Sequence, residues 1–206
     1  MTKAARFWDR HADVYLKKPI KDQASYDHGL DRTRKYLSEA DHVLEIGCGT
    51  GTSALLLAPS VKQITATDIS SRMVEIGLEK ASAAGVDNVH FERATLFDAD
   101  LDRGPFDVIT AFNSLHVIGD IPGGLIEIRE RLKPGGFFIS KTPCVGEMNR
   151  LVPIGISVMK LLGLAPPLEY LKATEIEDHI TSAGFAILET AFCPHPVRFI
   201  VAQRAP

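Results

Sequence analysis

The stretch Val43-Leu44-Glu45-Ile46-Gly47-Cys48-Gly49-Thr50-Gly51-Thr52 constrains this chain more than any other. A short apolar run breaks into alternating glycines and then into Ser53-Ala54-Leu55-Leu56-Leu57-Ala58, which reads as strand, tight loop and helix. Glycines at 47, 49 and 51 let the backbone turn sharply with no Cβ in the way. A ligand can then lie directly against main-chain N–H groups at a helix start. Taken alone, the loop is a generic nucleotide cradle, and the other elements are placed relative to it.

The flanking pattern predicts alternating strands and helices. Two amphipathic stretches precede the loop, at residues 4–17 (Phe7, Trp8, His11, Val14, Tyr15) and 25–37 (Tyr26, Leu30, Thr33, Leu37). They are either covering helices or a lid, residues 1–38, with Tyr15 or Tyr26 pointing toward the loop. Strands follow at 61–68, 89–93, 106–112 and 137–140; Ser70-Ser71 offers a cap for a helix ending at Gly85, and Pro122 marks a helix start with Leu125, Ile128 and Leu132 on its buried face. Lys133-Pro134-Gly135-Gly136 reads as a sharp turn into the fifth strand. Thr174-Glu175-Ile176-Glu177 matches a capping box, and the runs 185–192 and 197–201 form a closing hairpin. Such alternation predicts one α/β domain, a mostly parallel sheet with helices on both faces.

Composition removes several function classes. With 26 acidic against 23 basic residues and a net charge of -3, no phosphate-coating nucleic-acid surface is expected. Cys48, Cys144 and Cys193 stand far apart with no metal-ligand spacing, so no metal site is expected and the usage fits a reducing compartment. No apolar h-region opens the chain, and the greasiest stretch, 151–168, is broken by Pro153, Gly155, Lys160, Gly163 and two prolines. A cytoplasmic, soluble protein with no integral membrane segment is expected.

Dinucleotide enzymes want G-x-G-x-x-G in such a loop, whereas position 52 is Thr and the pattern is E-x-G-x-G-x-G. Asp68, an acid ending the second strand, suits ribose hydroxyls in either ligand class. Glu45 to Gly51, Asp68 and Arg131-Leu132-Lys133-Pro134-Gly135-Gly136 together resemble the class I S-adenosylmethionine-dependent methyltransferases over at least residues 40–142. The resemblance implies a Rossmann-like sheet of seven strands in the order 3-2-1-4-5-7-6, the last antiparallel. It also implies S-adenosyl-L-methionine as cofactor across the carboxyl ends of the strands. Tyr15, Glu45, Gly47, Cys48, Gly49 and Gly51 would surround its methionine part, Asp68 its ribose, and Ile69, Met73, Thr95 and Leu96 its adenine, with Asn113 beyond. Met73 has a second reading as plain core. The family often has an acid after the third strand, but here Ala94-Thr95-Leu96 stands there, and Asp98 lies too far along to replace it.

After the fourth strand, Asn113-Ser114-Leu115-His116 departs from the Asn/Asp-Pro-Pro-aromatic run of enzymes methylating bases or glutamine, and resembles small-molecule methyltransferases instead. His116 is a candidate general base for a hydroxyl acceptor, or else it only shapes the pocket. Pro143-Cys144 resembles the nucleophile pair of cytosine C5 methyltransferases, but the rest of that pattern is missing. The apolar insert 145–172 covers a hydrophobic or aromatic acceptor, makes a dimer contact, or simply packs. The expected function is methyl transfer to O or N of a small molecule, by a monomer or homodimer. Its rivals are a nicotinamide-dependent oxidoreductase and a cofactor-binding protein without turnover.

Overall fold

The computed structural model describes every residue except 1, 21, 100, 102, 103, 150, 162 and 167. Leu162 and Pro167 of the apolar insert therefore lie outside the described residues. Two helices lead, α1 (Lys3–Lys17) and α2 (Gln23–Arg34), started by side-chain caps: Thr2 Oγ1 accepts from Ala5 N at 3.1 Å and Asp22 Oδ1 from Ser25 N at 3.0 Å. Then come β1 (His42–Ile46), α3 (Thr52–Leu57), β2 (Gln63–Asp68), α4 (Ser71–Ala84), β3 (Val89–Arg93) and β4 (Phe106–Phe112). The chain continues with α5 (Ile121–Arg131), β5 (Leu132–Pro143), α6 (Leu151–Leu161), α7 (Ala173–Ser182), β6 (Phe185–Phe192) and β7 (Val197–Arg204).

These strands form one sheet in the order β3-β2-β1-β4-β5-β7-β6, with β7 antiparallel to both neighbours, as the resemblance implies. The order reverses between β1 and β4, and a crevice for ligands opens there at the carboxyl ends of the strands. Both faces are buried. Leu44, Ile109 and Phe138 pack against Leu125 and Ile128 of α5 and Ile176 and Ile180 of α7. Their strand neighbours Val43, Val108 and Ile139 point the other way, against Leu30 of α2 and Ala54 and Leu57 of α3. Each such side chain contributes about 1.5–3 kcal/mol on full burial.

Several boundaries differ from the sequence reading. The helix expected over 25–37 ends at Arg34, and Tyr36 turns off it to donate to Glu189 Oε2 at 2.7 Å. Arg32 pairs with the same carboxylate and ties α2 to β6, while Tyr26 of the same helix reaches Ser53 Oγ, just past the glycine loop, at 3.0 Å. The Lys133–Gly136 turn lies inside β5 as a bulge, because Phe106 pairs with Leu132 while Val108 pairs with Phe137. The capping box shifts too: α7 starts from Lys172, whose backbone N–H donates to Glu175 Oε2 at 2.8 Å. In the insert, α6 buries none of its residues, with Leu151 and Leu161 at 73% and 87% exposure, whereas Val145 and Leu171 at the insert's two ends are buried. Among the described residues no helix is long and apolar enough to cross a membrane.

Candidate functional site

The loop after β1 is held from three sides by groups distant in sequence. Cys48 N donates to Thr67 O on β2 at 2.8 Å, and Ser114 Oγ, just past β4, donates to Ile46 O at 2.6 Å. Ser114 sits so close that a Cβ on Gly47, whose φ is +66°, would lie 2.5 Å from its Cβ. Gly51 has φ +74°, and a Cβ there would meet the Phe91 ring of β3 at 2.4 Å. Gly77 of α4 faces the same ring, with a Cβ-to-ring approach of 2.5 Å. Phe91 is thus wedged between two glycines beneath the loop. From α4, Lys80 Nζ donates to Thr50 O at 3.0 Å and Thr52 Oγ1 at 2.6 Å.

Two acids stand at this loop. Asp68 Oδ2 accepts from Gly49 N and its Oδ1 from Ser70 N, both at 2.9 Å, so the side chain pins the loop to the start of α4. Burial nonetheless pushes its pKa up, against those hydrogen bonds. Glu45 is 3% exposed, and its Oε2 has no hydrogen-bond partner among the described residues. Burial, then repulsion from Asp68, pushes it up to about 8. An unpartnered buried carboxylate beside a second acid is a place for a cation, not for a phosphate. The residues therefore fit the ammonium group at the amino-acid end of S-adenosylmethionine and oppose a dinucleotide pyrophosphate.

The first helix closes over this cradle. Asp9 Oδ1 accepts from Ser70 Oγ at 2.7 Å and from Arg72 N at 3.2 Å, while Arg72 Nη2 pairs with Asp13 at 3.0 Å. That docking brings the Tyr15 ring within 3.8 Å of where a Gly49 Cβ would stand. Burial and the Asp68 charge both push the Tyr15 hydroxyl's pKa up. On the adenine side, Ile69 is half-buried, whereas Met73 is enclosed by Ala12, Ile76 and Trp8, and the Leu96 side chain belongs to the core. Thr95 N donates to Asp98 Oδ2 at 2.7 Å, which leaves Thr95 its hydroxyl. Among the residues around the loop, Asp9, Arg72, Lys80 and Ser114 were not singled out by sequence reasoning.

Beyond β4, Asn113 takes a left-handed φ of 56° and its N–H donates to Lys141 O at 2.7 Å. His116 follows in a one-turn 3-10 helix, Leu115–Val117. Its Nδ1 is buried without a partner among the described residues, and burial pushes its pKa down to about 4. The His116 carbonyl accepts from Glu169 N at 2.8 Å, which docks the end of the 145–172 insert beside it. Asn113 also walls a small cleft with Tyr26, Ser53, Phe112 and Lys141, with Leu30 and Phe199 in its lining and His116 outside it. Cys144 is fully buried and its thiol is pushed up to about 11 by burial, so it is no nucleophile.

A family model described as a methyltransferase domain matches residues 43–136, from the start of β1 to the bulge of β5. Over 166 residues the chain is 31% identical to a demethylmenaquinone methyltransferase of Clavibacter sepedonicus, covering 72% of this chain and 67% of that one. The chain belongs to the class I S-adenosylmethionine-dependent methyltransferases. The chain is also 34% identical over 101 residues to the uncharacterized methyltransferase YcgJ of Bacillus subtilis, covering 48% of this chain and 40% of YcgJ. The chain spans less than half the length of five curated relatives it matches, YcgJ among them. The crystal structure of YcgJ matches the fold with a TM-score of 0.73 at 18% identity, over 87% of this chain and 99% of that one. A geranyl diphosphate C-methyltransferase from Streptomyces coelicolor A3(2), in complex with Mg2+, geranyl diphosphate and S-adenosyl-L-homocysteine, matches with a TM-score of 0.74 at 14% identity, over 98% and 97% of the two chains.

Proposed function

We propose that this methyltransferase transfers a methyl group to an oxygen or nitrogen of a small apolar or aromatic molecule. The observation that carries the reading is the Glu45 oxygen left without a partner beside Asp68, at a loop whose glycines admit a ligand to the backbone. S-adenosylmethionine supplies a methyl group on a positively charged sulfur when bound. Glu45 and the 47–51 backbone would hold its amino-acid end, with Cys48 lining the turn and Tyr15 closing over Gly49. Asp68 would hold the ribose, and Ile69 and the Thr95 hydroxyl would border the adenine beside Met73 and Leu96. Asn113 stands at the junction with the acceptor cleft.

The apolar acceptor is supported by the cleft's aromatic lining and by the names of relatives, which act on demethylmenaquinone and on geranyl diphosphate. The last of these and a sterol 4-C-methyltransferase of Caenorhabditis elegans favour carbon as a second reading for the acceptor atom. In-line transfer depends mainly on alignment and water exclusion, worth up to about 7–11 kcal/mol. His116 is the candidate general base: with a pKa near 4 its ring is neutral through physiological pH but a weak proton acceptor there, and its Nδ1 is enclosed by the protein, so any proton would have to reach the other ring nitrogen.

Calorimetry with S-adenosylmethionine, S-adenosylhomocysteine and NAD tests the donor. Binding of NAD with neither S-adenosyl ligand would overturn the reading. A methyl-acceptor screen with labelled cofactor then separates oxygen, nitrogen and carbon products, and persistent absence of turnover with tight cofactor binding would leave a binding protein.

A further inference from the structure

The acceptor cleft holds a cation that no carboxylate contacts among the described residues, with Asp22 acting on it only through space. Lys141 leaves β5 half-buried, and among the described residues it makes no ion pair. Its Nζ reaches Ser25 O only at 3.4 Å and stands 5.8 Å from the centre of the Tyr26 ring. Gly29 of α2 lies against the same side chain, since a Cβ there would sit 3.8 Å from Nζ, an ordinary contact that keeps the amine beside the cleft. Burial pushes the amine's pKa down, offset in part by Cys193 and Asp22. Polar groups converge on the same space: the Tyr26 hydroxyl and Ser53 Oγ, 3.0 Å apart, and Asn113.

We infer that this cleft recognises an acceptor bearing a singly charged anionic oxygen, a carboxylate or an ionised phenol or enol, and that Lys141 holds that oxygen. The inference rests on the methyl-acceptor reading of the cleft and narrows it. The enclosed space is only about 20 Å³, so the anionic group alone enters beside Lys141 and the apolar body lies across the open mouth along Tyr26 and Phe112. Ser53 follows the glycine loop directly, and Asn113 precedes the Ser114 that bonds Ile46 O, so the cleft shares its walls with the donor cradle. The two sites are then opposite in charge, acids at the donor and a cation at the acceptor.

The probes are 2-naphthoate and its neutral isostere 2-naphthamide, titrated calorimetrically into the wild type, Lys141→Gln and Lys141→Arg with S-adenosylhomocysteine present. Naphthoate is expected to bind the wild type about tenfold more tightly than the amide, the worth of one charge-assisted contact. Lys141→Gln should lose that preference and Lys141→Arg keep it. Equal affinity for the two probes in the wild type, or a preference surviving in Lys141→Gln, overturns the inference. A 13C-methyl spectrum of the wild type covers a variant that fails to fold. The Leu30 methyls, which line the cleft, should shift with naphthoate at concentrations where naphthamide leaves them unmoved. No shift with either probe refutes the site. Failure of S-adenosylhomocysteine itself to bind the wild type is a different result and sinks the methyltransferase reading rather than the role of Lys141.

Discussion

Replacing Glu45 by Gln is expected to change how stability depends on pH. In the unfolded chain this carboxyl titrates at the ordinary value of 4.5, and in the fold at about 8. Between those values the folded protein keeps a proton that the unfolded chain has released, so stability falls as pH rises, by about 1.4 kcal/mol per unit. The contribution is fully present below 4.5 and exhausted above about 8. The whole interval is worth about 5 kcal/mol as an upper bound, which local relaxation and water entry reduce. Asp68 and Asp41 are raised and act in the same direction, while Asp107 and Glu189 are lowered and act against it. The difference between wild type and Glu45→Gln isolates the one group. Urea unfolding at intervals from pH 5 to pH 9 should give nearly equal stabilities at the acid end. At the alkaline end Glu45→Gln should be more stable by at least about 2 kcal/mol. A difference that stays constant across the range would refute a buried acid without a partner at this position.

Gly77→Ala drives a Cβ to 2.5 Å from the Phe91 ring and should cost about 1–3 kcal/mol in thermal or urea unfolding, most of it recovered when Phe91→Leu is added. Asp68→Ala removes the acceptor for Gly49 N and Ser70 N together with the ribose contact, so S-adenosylmethionine binding should weaken by more than about 1 kcal/mol in calorimetry. Lys80→Met frees Thr50 and Thr52 and should weaken S-adenosylhomocysteine binding about three- to tenfold with little change in unfolding temperature. For His116→Gln, kcat/KM on any acceptor should lose the wild type's acid limb near pH 4; a limb that persists unchanged removes His116 as the proton acceptor.

What could be read from the sequence was whatever repeats along it. Val43 and Leu44 already alternate toward the two faces they bury, and the glycine spacing already fixes where the backbone must turn. The Pro134-Gly135-Gly136 stretch could not be resolved that way, because a turn and a bulge want the same residues and only the jump from Leu132 to Phe137 against β4 separates them. The start of α7 slipped for a similar reason: Thr174 is a good cap by type, but Glu175 bonds back to Lys172. The groups that hold the loop were invisible because their partners are remote in sequence, Asp9 from Ser70, Lys80 from Thr52 and Ser114 from Ile46. No local spacing encodes such pairs.

The choice between ligand classes shows how these levels combine. By spacing, Asp68 suits the ribose of a dinucleotide as well as that of S-adenosylmethionine, and Thr52 argues only that one glycine is missing. The helix after the loop does little to help, since α3 is six residues long and passes straight into a 3-10 turn at Ala58–Ser60. Its weak dipole gives a pyrophosphate little to set against Glu45 and Asp68. The Gly49 N–H that would face such a group already donates to Asp68. The loop's backbone is therefore shaped like a phosphate cradle while its charge is that of a cation site. Glu45 decides between them: buried to 3% exposure with an oxygen unpaired, it keeps its proton up to about pH 8 in the empty fold, and a bound ammonium would favour its ionised form where a pyrophosphate would oppose it.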